Sequence, residues 1–438
     1  MPRSTRPSCT VGPPPVEQRC ALVVLPAAAG EPDRAAASVM RAHSAGAGDL
    51  AEVLRLDPPG DSRERLAAAA RQARSEGMGW LLALSGSETL VPDAFQKLAP
   101  ALRLHDAVWG AAAVSRSDGT APIEPITRLA AQDEAAFHHC ALRWWIGESH
   151  FVRPAAALAA LEGAQGPGWY ADYMRALWRQ GRAYKTAQTV TIFPAGVPPV
   201  PDAVRARLLE RLEKDPVFTK VSHGAASFRL PYTGRNAGIE RAHTRGQFYE
   251  HEELAYLAAR FPRGMRIVDA GANTGNHTVF FAGVMQAQIV RPIEPDPRSA
   301  AALRCAVAAN GLANVALDGL GTAVGAAPGR MRSVVSEAGG LGATRLVPDA
   351  AGEVPVAPLD AVVGGPVDLL KIDVEGMEMD VLAGAEGLIA RERPAMFVEV
   401  ADGTTAAFLA WTDCHGYCLE KLFPDKEHCN FVVVPNAR

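Results

Sequence analysis

Cysteine is scarce, with seven residues in a chain of 438, and the number is odd. That excludes the dense disulfide framework of a small secreted domain and makes a reducing cytoplasm the expected compartment. Positive charge is not in excess either, because 44 basic residues stand against 48 acidic ones for a formal net charge of -4. No chain-wide field recruits nucleic acid or anionic lipid, so neither is expected as a partner. No run reaches the roughly 18 apolar residues of a membrane helix, so no integral membrane segment is expected. The 40 glycines and 33 prolines follow no collagen-like period, and no repeat of about 20 to 50 residues recurs. What remains is a composition of 48% hydrophobic and 21% charged residues, which is globular, in a chain longer than one ordinary core fills.

The cysteines also lack paired C-x2-C knuckles. Cys414, His415, Cys418, His428 and Cys429 approach the spacing of a zinc site, but buried thiols in a terminal strand pair account for them, and no metal is assigned there.

The chain reads as α/β in two domains. Residues 1–19 carry Arg3, Arg6 and Pro13-Pro14-Pro15 and read as a disordered tail, since the prolines interrupt the basic-to-apolar junction of a signal peptide. Residues 20–193 alternate strand-like runs (Ala21–Leu25, Glu52–Leu56, Trp80–Leu84) with helical ones (Ala35–Ala42, Arg63–Glu76). Residues 194–216 form a linker, proline-rich to Pro201 and then a charged helix over Ala203–Lys214. A second α/β rhythm fills 217–438. Its expected strands are Met265–Ala270, Ile289–Ile293, Ala316–Asp318, Val367–Ile372 and Ala395–Val400, with helices from Thr278 onward and over Ala300–Asn310 and Met379–Arg391. Short strands separated by helices imply a parallel, Rossmann-like sheet covered on both faces.

Such sheets bind ligands at the carboxyl ends of their strands. In the second domain those ends are acidic: Asp269, Glu294, Asp373 and Glu399. Burying that many carboxylates together is costly without a cationic or hydroxyl-rich ligand. The first strand leads into Asp269-Ala-Gly271-Ala-Asn273-Thr-Gly275-Asn-His277-Thr278, a glycine turn that departs from G-x-G-x-x-G because Asn273 stands two after Gly271. Glu294 follows Gly275 by 19 residues, the place from which an acid holds ribose hydroxyls.

A further element, Lys371-Ile-Asp373-Val-Glu375-Gly-Met-Glu378, puts Lys371, Asp373 and Glu375 at period two on one side of the strand end. A lysine beside carboxylates keeps at least one ionised, as a general base or metal ligand requires, although a structural ion pair at a helix start explains the same residues. Asp373 and Glu375 are the leading candidates, with Lys371, Glu378 and His277 beside them. A divalent metal shared by Asp373 and Glu375 is compatible with the spacing and not required by it.

The segments Val268–Thr278, Glu294-Pro-Asp-Pro297, Asn310-Gly311, Leu359-Asp360, Asp368–Glu378 and Val381–Ala385 resemble, in order, the FkbM family of S-adenosylmethionine-dependent methyltransferases. The resemblance runs from Gly246-Gln-Phe-Tyr-Glu250 to Asn430–Pro435. It implies a class I methyltransferase sheet and S-adenosyl-L-methionine as cofactor. Asp269, Gly271, Asn273, Gly275 and Glu294 are then expected to line that cofactor, with Ala272, Asn276 and Pro295 counted beside them.

The first domain resembles a family 2 glycosyltransferase of the GT-A fold. Ala21–Pro26 looks like its opening strand and Asp57 like the acid after the second. Trp80–Asp93 looks like the metal-binding segment, but Ser85 and Ser87 stand where its aspartates should, leaving Glu88 nearby. Trp145–Ser149 with Arg153, and Tyr170-Ala-Asp172-Tyr173, resemble the acceptor side, Asp172 matching the usual base. A degenerate module that holds a glycan or nucleotide-sugar acceptor is the more economical expectation.

The whole predicts an O-methyltransferase acting on a sugar hydroxyl of a glycan or glycosylated metabolite. The alternatives are a bifunctional glycosyltransferase/methyltransferase and a nicotinamide-dependent oxidoreductase. The oligomeric state is not encoded in any pattern found.

Overall fold

In the computed structural model the described residues are 18–26, 31–47, 50–116, 119–122, 134–143, 149–180, 182–193, 200–335, 341, 344–425 and 428–436. The expected tail, the Pro-rich stretch 194–199 and Trp145–Glu148 lie largely or wholly outside them. The chain divides into two compact units between Lys214 and Asp215.

In the first unit, β1 (Arg19–Leu25), β2 (Glu52–Leu56), β3 (Trp80–Ser85), β4 (Thr89–Leu90), β5 (Ala107–Arg116), β6 (Gly119–Pro122), β7 (His150–Val152) and β8 (Ala183–Phe193) form one mixed sheet. Its order is β2-β1-β3-β7-β5-β8-β4, with β6 on β5. β1 is apolar along almost its whole length and buried on both faces, which demands the covering helices Pro32–Ala45 and Ser62–Ser75. Asp61 and Glu64 close a reciprocal cap on the second of these. The charged helix Asp202–Lys214 packs on this unit, where Arg207 and Arg211 both hold Asp172.

The second unit opens with the hairpin β9 (Val217–His223) and β10 (Ala226–Tyr232). Its central sheet is built from β11 (Arg266–Ala270), β12 (Ile289–Ile293), β17 (Leu369–Ile372), β18 (Ala395–Ala401), β19 (Tyr417–Pro424) and β20 (His428–Pro435) in the order β12-β11-β17-β18-β20-β19. The first four run parallel, and β20 inserts antiparallel between β18 and β19. A smaller sheet of β13 (Ala323–Val324), β14 (Gly329–Val335), β15 (Thr344–Pro348) and β16 (Val354–Ala357) flanks it.

Adjacent strand residues serve opposite faces, as the pleat requires. Val268, Leu370 and Val398 pack with Val381, Leu382 and Leu388 on one side, while Ile267, Leu369 and Phe397 pack with Val279, Phe280 and Phe281 on the other. The sheet is therefore Rossmann-like, with helices on both faces.

Three elements depart from the pattern-based expectation. The expected strand at Ala316–Asp318 is replaced by a 3-10 turn over Leu317–Gly319 between two isolated bridges, Val290 to Val315 and Glu294 to Leu320, because Asp318-Gly319 bends the chain before a ladder forms. The helix after the glycine turn begins at Asn276 rather than Thr278 and widens into a π turn over Phe280–Val284. Met379–Arg391 is two helices, Glu378–Ala383 and Glu386–Glu392. They part at Gly384, where a Cβ would stand 2.1 Å from the Gly325 carbonyl oxygen. Among the described residues no helix is long and apolar enough to cross a membrane.

Candidate active site

β11 ends in a turn that only glycine can make. Gly271 has φ +78°, and a Cβ there would fall 1.7 Å from the backbone oxygen of Asp373, so the ends of β11 and β17 meet backbone to backbone. Asp269 lies beneath this turn, wholly buried, with Thr278 Oγ1 donating to its Oδ2 at 2.6 Å. Lys371 Nζ stands 3.3 Å from Asp269 Oδ1 and 3.1 Å from Asp373 Oδ2, and donates to the Gly271 carbonyl at 2.8 Å. Burial alone would depress this ammonium, yet Asp373 and Asp269 hold it above its ordinary value. The ion set therefore pins the glycine turn to the strand that carries Asp373.

At the end of β12, Glu294 accepts from the backbone N–H groups of Asn273 at 2.8 Å and Asp296 at 2.7 Å. Burial pushes its carboxyl up to about 7 against the pull of those two donors. Asn273, with φ +47°, accepts from Asn236 Nδ2 at 3.1 Å. Asn236 is fixed in turn by buried Glu240, which gathers N–H groups of Thr233, Gly234 and Asn236.

Beyond β17 the chain leaves strand geometry. Glu375 sits at φ +52°, and Glu378 Oε1 accepts from Gly376 N–H at 2.7 Å, closing the turn. The expected period-two row is thus broken: Lys371 is buried under the turn, while Asp373 and Glu375 face the cavity. Burial and the neighbouring Asp373 raise Glu375 to about 7. Glu399, at the end of β18, lies 3.2 Å from His428 Nε2 and is held well above the carboxylate range, first by burial and then by Asp373, Glu250 and Glu375.

Behind them Glu250 pairs with His277 Nε2 at 2.9 Å and accepts from Asn430 Nδ2 at 2.9 Å. Those partners outweigh its burial and keep it below its usual range. Asn276 grips the backbone of Tyr249 and also meets His243 Nε2 at 2.9 Å.

These elements enclose a cavity of about 430 Å³ along the carboxyl edge of the sheet. Gly271, Asn273, Glu294, Pro295 and Asp296 line one part, Ile293, Ala323, Val324 and Met377 give apolar wall, and Tyr249, Asp373, Glu375, Glu399 and His428 line the other. The chemistry fits a sulfonium nucleoside. It offers an acid for vicinal hydroxyls, a backbone approach that no side chain could share, apolar surface for a base, and negative charge for a cation.

Among the described residues one group has metal-ligating spacing: Glu250, Glu399 and His428, with ligand atoms within 4.8 Å of one another. The divalent site weighed for Asp373 and Glu375 does not coincide with it. Nor do the terminal cysteines join it. Cys418 lies opposite Val434 in the β19–β20 ladder and Cys429 opposite Pro424, while His415 turns to the Trp411 carbonyl.

Of the thirteen residues expected from sequence, Gly271, Asn273, Glu294, Pro295, Asp373 and Glu375 line the cavity. Asp269, Ala272, Gly275, Asn276, His277, Lys371 and Glu378 do not. Asp269, Lys371 and Glu378 support the loops from below, Ala272 packs on Leu303, and Asn276 and His277 are committed to Tyr249 and Glu250. Sequence reasoning missed Asn236, Tyr249 and Asp296 as lining residues. Tyr249 sat inside the stretch Gly246–Glu250, and Asp296 inside Glu294–Pro297.

In the first unit, Ser85 Oγ and Ser87 Oγ lie 2.9 Å apart, and Asp57 is exposed among Arg55 and Arg65. Asp172, matched to a base position, is bound by Arg207 at 2.9 Å and Arg211 at 2.7 Å, so its carboxylate is occupied within a helix pair.

Residues 269–419 match the Methyltransferase FkbM domain family. Among solved structures, the methyltransferase FkbM of Methylobacillus flagellatus KT is 17% identical, with a TM-score of 0.30, over 52% of this chain and 59% of that one. This chain thus spans under two thirds of that relative. The precorrin-6y C5,15-methyltransferase of Geobacter metallireducens GS-15 is 13% identical over 43% of this chain and 89% of that one, with a TM-score of 0.30. The ribosomal protein L11 methylase of Lactobacillus delbrueckii subsp. bulgaricus is 11% identical over 43% and 80%, with a TM-score of 0.29. No curated protein matches the chain.

Proposed function

We propose, from the premise that residues 269–419 are a methyltransferase domain of the FkbM family, that the chain is an S-adenosylmethionine-dependent O-methyltransferase whose acceptor is a sugar hydroxyl of a glycan or glycosylated metabolite. The observation that carries it is the cavity edge where Gly271, Asn273 and Glu294 converge beside Asp373 and Glu375. Glu294 would hold the ribose hydroxyls, Gly271 would admit the methionine part close to the backbone, and Ile293, Val324 and Met377 would flank the base. When bound, S-adenosylmethionine supplies an electrophilic methyl on a positively charged sulfur.

Asp373 receives the proton of the acceptor hydroxyl as the oxygen takes the methyl. Lys371, 3.1 Å away, holds that carboxylate in place at the end of the strand. Glu375 and Glu399 orient the acceptor, and the apolar wall keeps water from competing. A nucleic-acid acceptor would bring phosphates against these carboxylates, which disfavours it.

The sugar assignment draws on the first unit, whose sheet is compatible with a GT-A-like acceptor-holding module. Sugar transfer by that unit is the less favoured reading: Ser85 and Ser87 bond each other where a metal-binding acid pair is needed, and Asp172 is bound by two arginines. The test is calorimetry with S-adenosylmethionine and S-adenosylhomocysteine, followed by transfer of isotopic label from the donor to cellular glycans of a deletion strain. Heat with both ligands and label on a glycan oxygen support the reading. No heat, or label on nitrogen or nucleic acid, overturns it.

A further inference from the structure

The part of the cavity away from Glu294 has an unusual charge balance. Asp373, Glu375 and Glu399 line it, Glu250 stands behind Glu399, and Asp425 adds its field at Tyr249. Among the described residues, few basic groups face this set. Lys371 is spent on Asp269, Asp373 and the Gly271 carbonyl. His428 offers the same Nε2 to Glu399 at 3.2 Å and Asp425 at 3.7 Å. Arg345 of β15 acts on Glu375 from outside the lining.

A second feature is independent of the acids. Tyr249 lines the same end, its backbone clasped by Asn276 and its phenol within the electrostatic reach of Glu250, Glu399, Asp373 and Asp425, so an aromatic side chain stands beside the carboxylates. A ring with adjoining carboxyl groups is the composition that recognises an organic ammonium, the ring supplying cation–π attraction and the acids, ionised by the incoming cation, charge. Anionic acceptors meet repulsion in the same place.

Resting on the methyltransferase reading above, we infer that the acceptor carries a protonated amine beside the hydroxyl that is methylated. The amine docks on Glu375 and Glu399 next to Tyr249, which leaves Asp373 for the hydroxyl. An amino sugar or amino polyol is the substrate class; N-acylated, carboxylated and phosphorylated sugars are rejected.

The experiment titrates the full-length protein, saturated with S-adenosylhomocysteine, with glucosamine, N-acetylglucosamine and glucuronate by calorimetry, without and with magnesium chloride. Glucosamine is expected to bind at least about tenfold more tightly than N-acetylglucosamine, a difference of ~1.4 kcal/mol, with glucuronate weaker still. Glu399→Gln, and separately the more exposed Glu375→Gln, should erase that preference while S-adenosylhomocysteine binding persists. Equal binding of the three sugars, binding of none, or magnesium that binds through Glu399 and displaces glucosamine would each overturn the inference. Absence of heat with S-adenosylhomocysteine itself would bring down the cofactor reading, and the amine with it.

Discussion

Asn276 clasps the backbone of Tyr249 at both its donor and its acceptor: its Oδ1 accepts from Tyr249 N–H at 3.0 Å, and its Nδ2 donates to the Tyr249 carbonyl at 3.2 Å. The helix start after the glycine turn thereby fixes a residue on the opposite wall of the cavity. Glu250, next in the chain, is held at φ +54° by His277 and Asn430. Asn276, expected to line the cofactor, and His277, expected among the catalytic candidates, contact Tyr249 and Glu250 rather than lining the cavity.

Asn276→Ala should therefore raise the acceptor KM several-fold while the Kd for S-adenosylmethionine changes little. Loss of the three hydrogen bonds of this amide, two to Tyr249 and one with His243, should cost about 1–3 kcal/mol of stability. Asn276→Asp keeps the accepting half of the clasp and should recover part of the KM defect. Steady-state kinetics with each substrate varied, alongside denaturant unfolding, separates this positioning role from direct cofactor contact; an equal loss in cofactor affinity would contradict it.

Gly271→Ala tests the meeting of β11 and β17. A methyl 1.7 Å from the Asp373 carbonyl cannot be accommodated by rotating a side chain, and the φ of +78° is unfavourable for alanine as well. The two strand ends must separate. Cofactor binding should fall below detection by calorimetry and the melting temperature should drop, because the change displaces backbone rather than trimming a contact. Retained wild-type affinity would show that the loops part without cost.

Asp373→Asn and Lys371→Met should fail differently. The first leaves Lys371 paired with Asp269 and the glycine turn intact, so turnover should vanish with cofactor affinity nearly unchanged. The second strands Asp269 and Asp373 beside each other without their cation, a loss of about 3–5 kcal/mol for a broken buried pair. Turnover and binding should then fall together with stability. Undiminished turnover in Asp373→Asn would remove that carboxylate from the chemistry.

The lining residues that sequence reasoning found are those with a local signature. Gly271 and Asn273 sit in a glycine turn that ends an apolar strand, and Glu294 closes the next strand at a spacing set by one intervening helix. Tyr249 and Asn236 carry no such signature, since they enter the cavity from segments that precede the sheet and are aimed by buried hydrogen bonds to Asn276 and Glu240. Asp269 is placed differently, beneath the cavity rather than in its lining. Its position at a strand end looks functional in any parallel sheet; here Thr278 donates to its Oδ2 and Lys371 stands 3.3 Å from its Oδ1 under the turn. Periodicity likewise placed Met379–Arg391 on one helix, because the approach of Gly384 to the Gly325 backbone is a tertiary event without local trace.

Glu294 couples the site to stability. In the unfolded chain it titrates near 4.5, and in the folded protein at about 7. Between those values the folded state holds a proton that the unfolded state lacks, so raising the pH through this window favours unfolding. The contribution is full below the unfolded value and lost as pH passes the folded one. Glu375, raised to about 7 by burial and Asp373, adds in the same sense. Glu294→Gln removes the buried charge and keeps a carbonyl to accept from Asn273 or Asp296. The variant should gain roughly 1–3 kcal/mol over the wild type at pH 8 and little at pH 5. It should also lose affinity for S-adenosylmethionine, because a neutral amide accepts ribose hydroxyls less strongly than a carboxylate. Urea unfolding at the two pH values, with calorimetry at pH 8, measures both effects. A variant no more stable than wild type at pH 8 would mean that the folded protein keeps Glu294 ionised without strain.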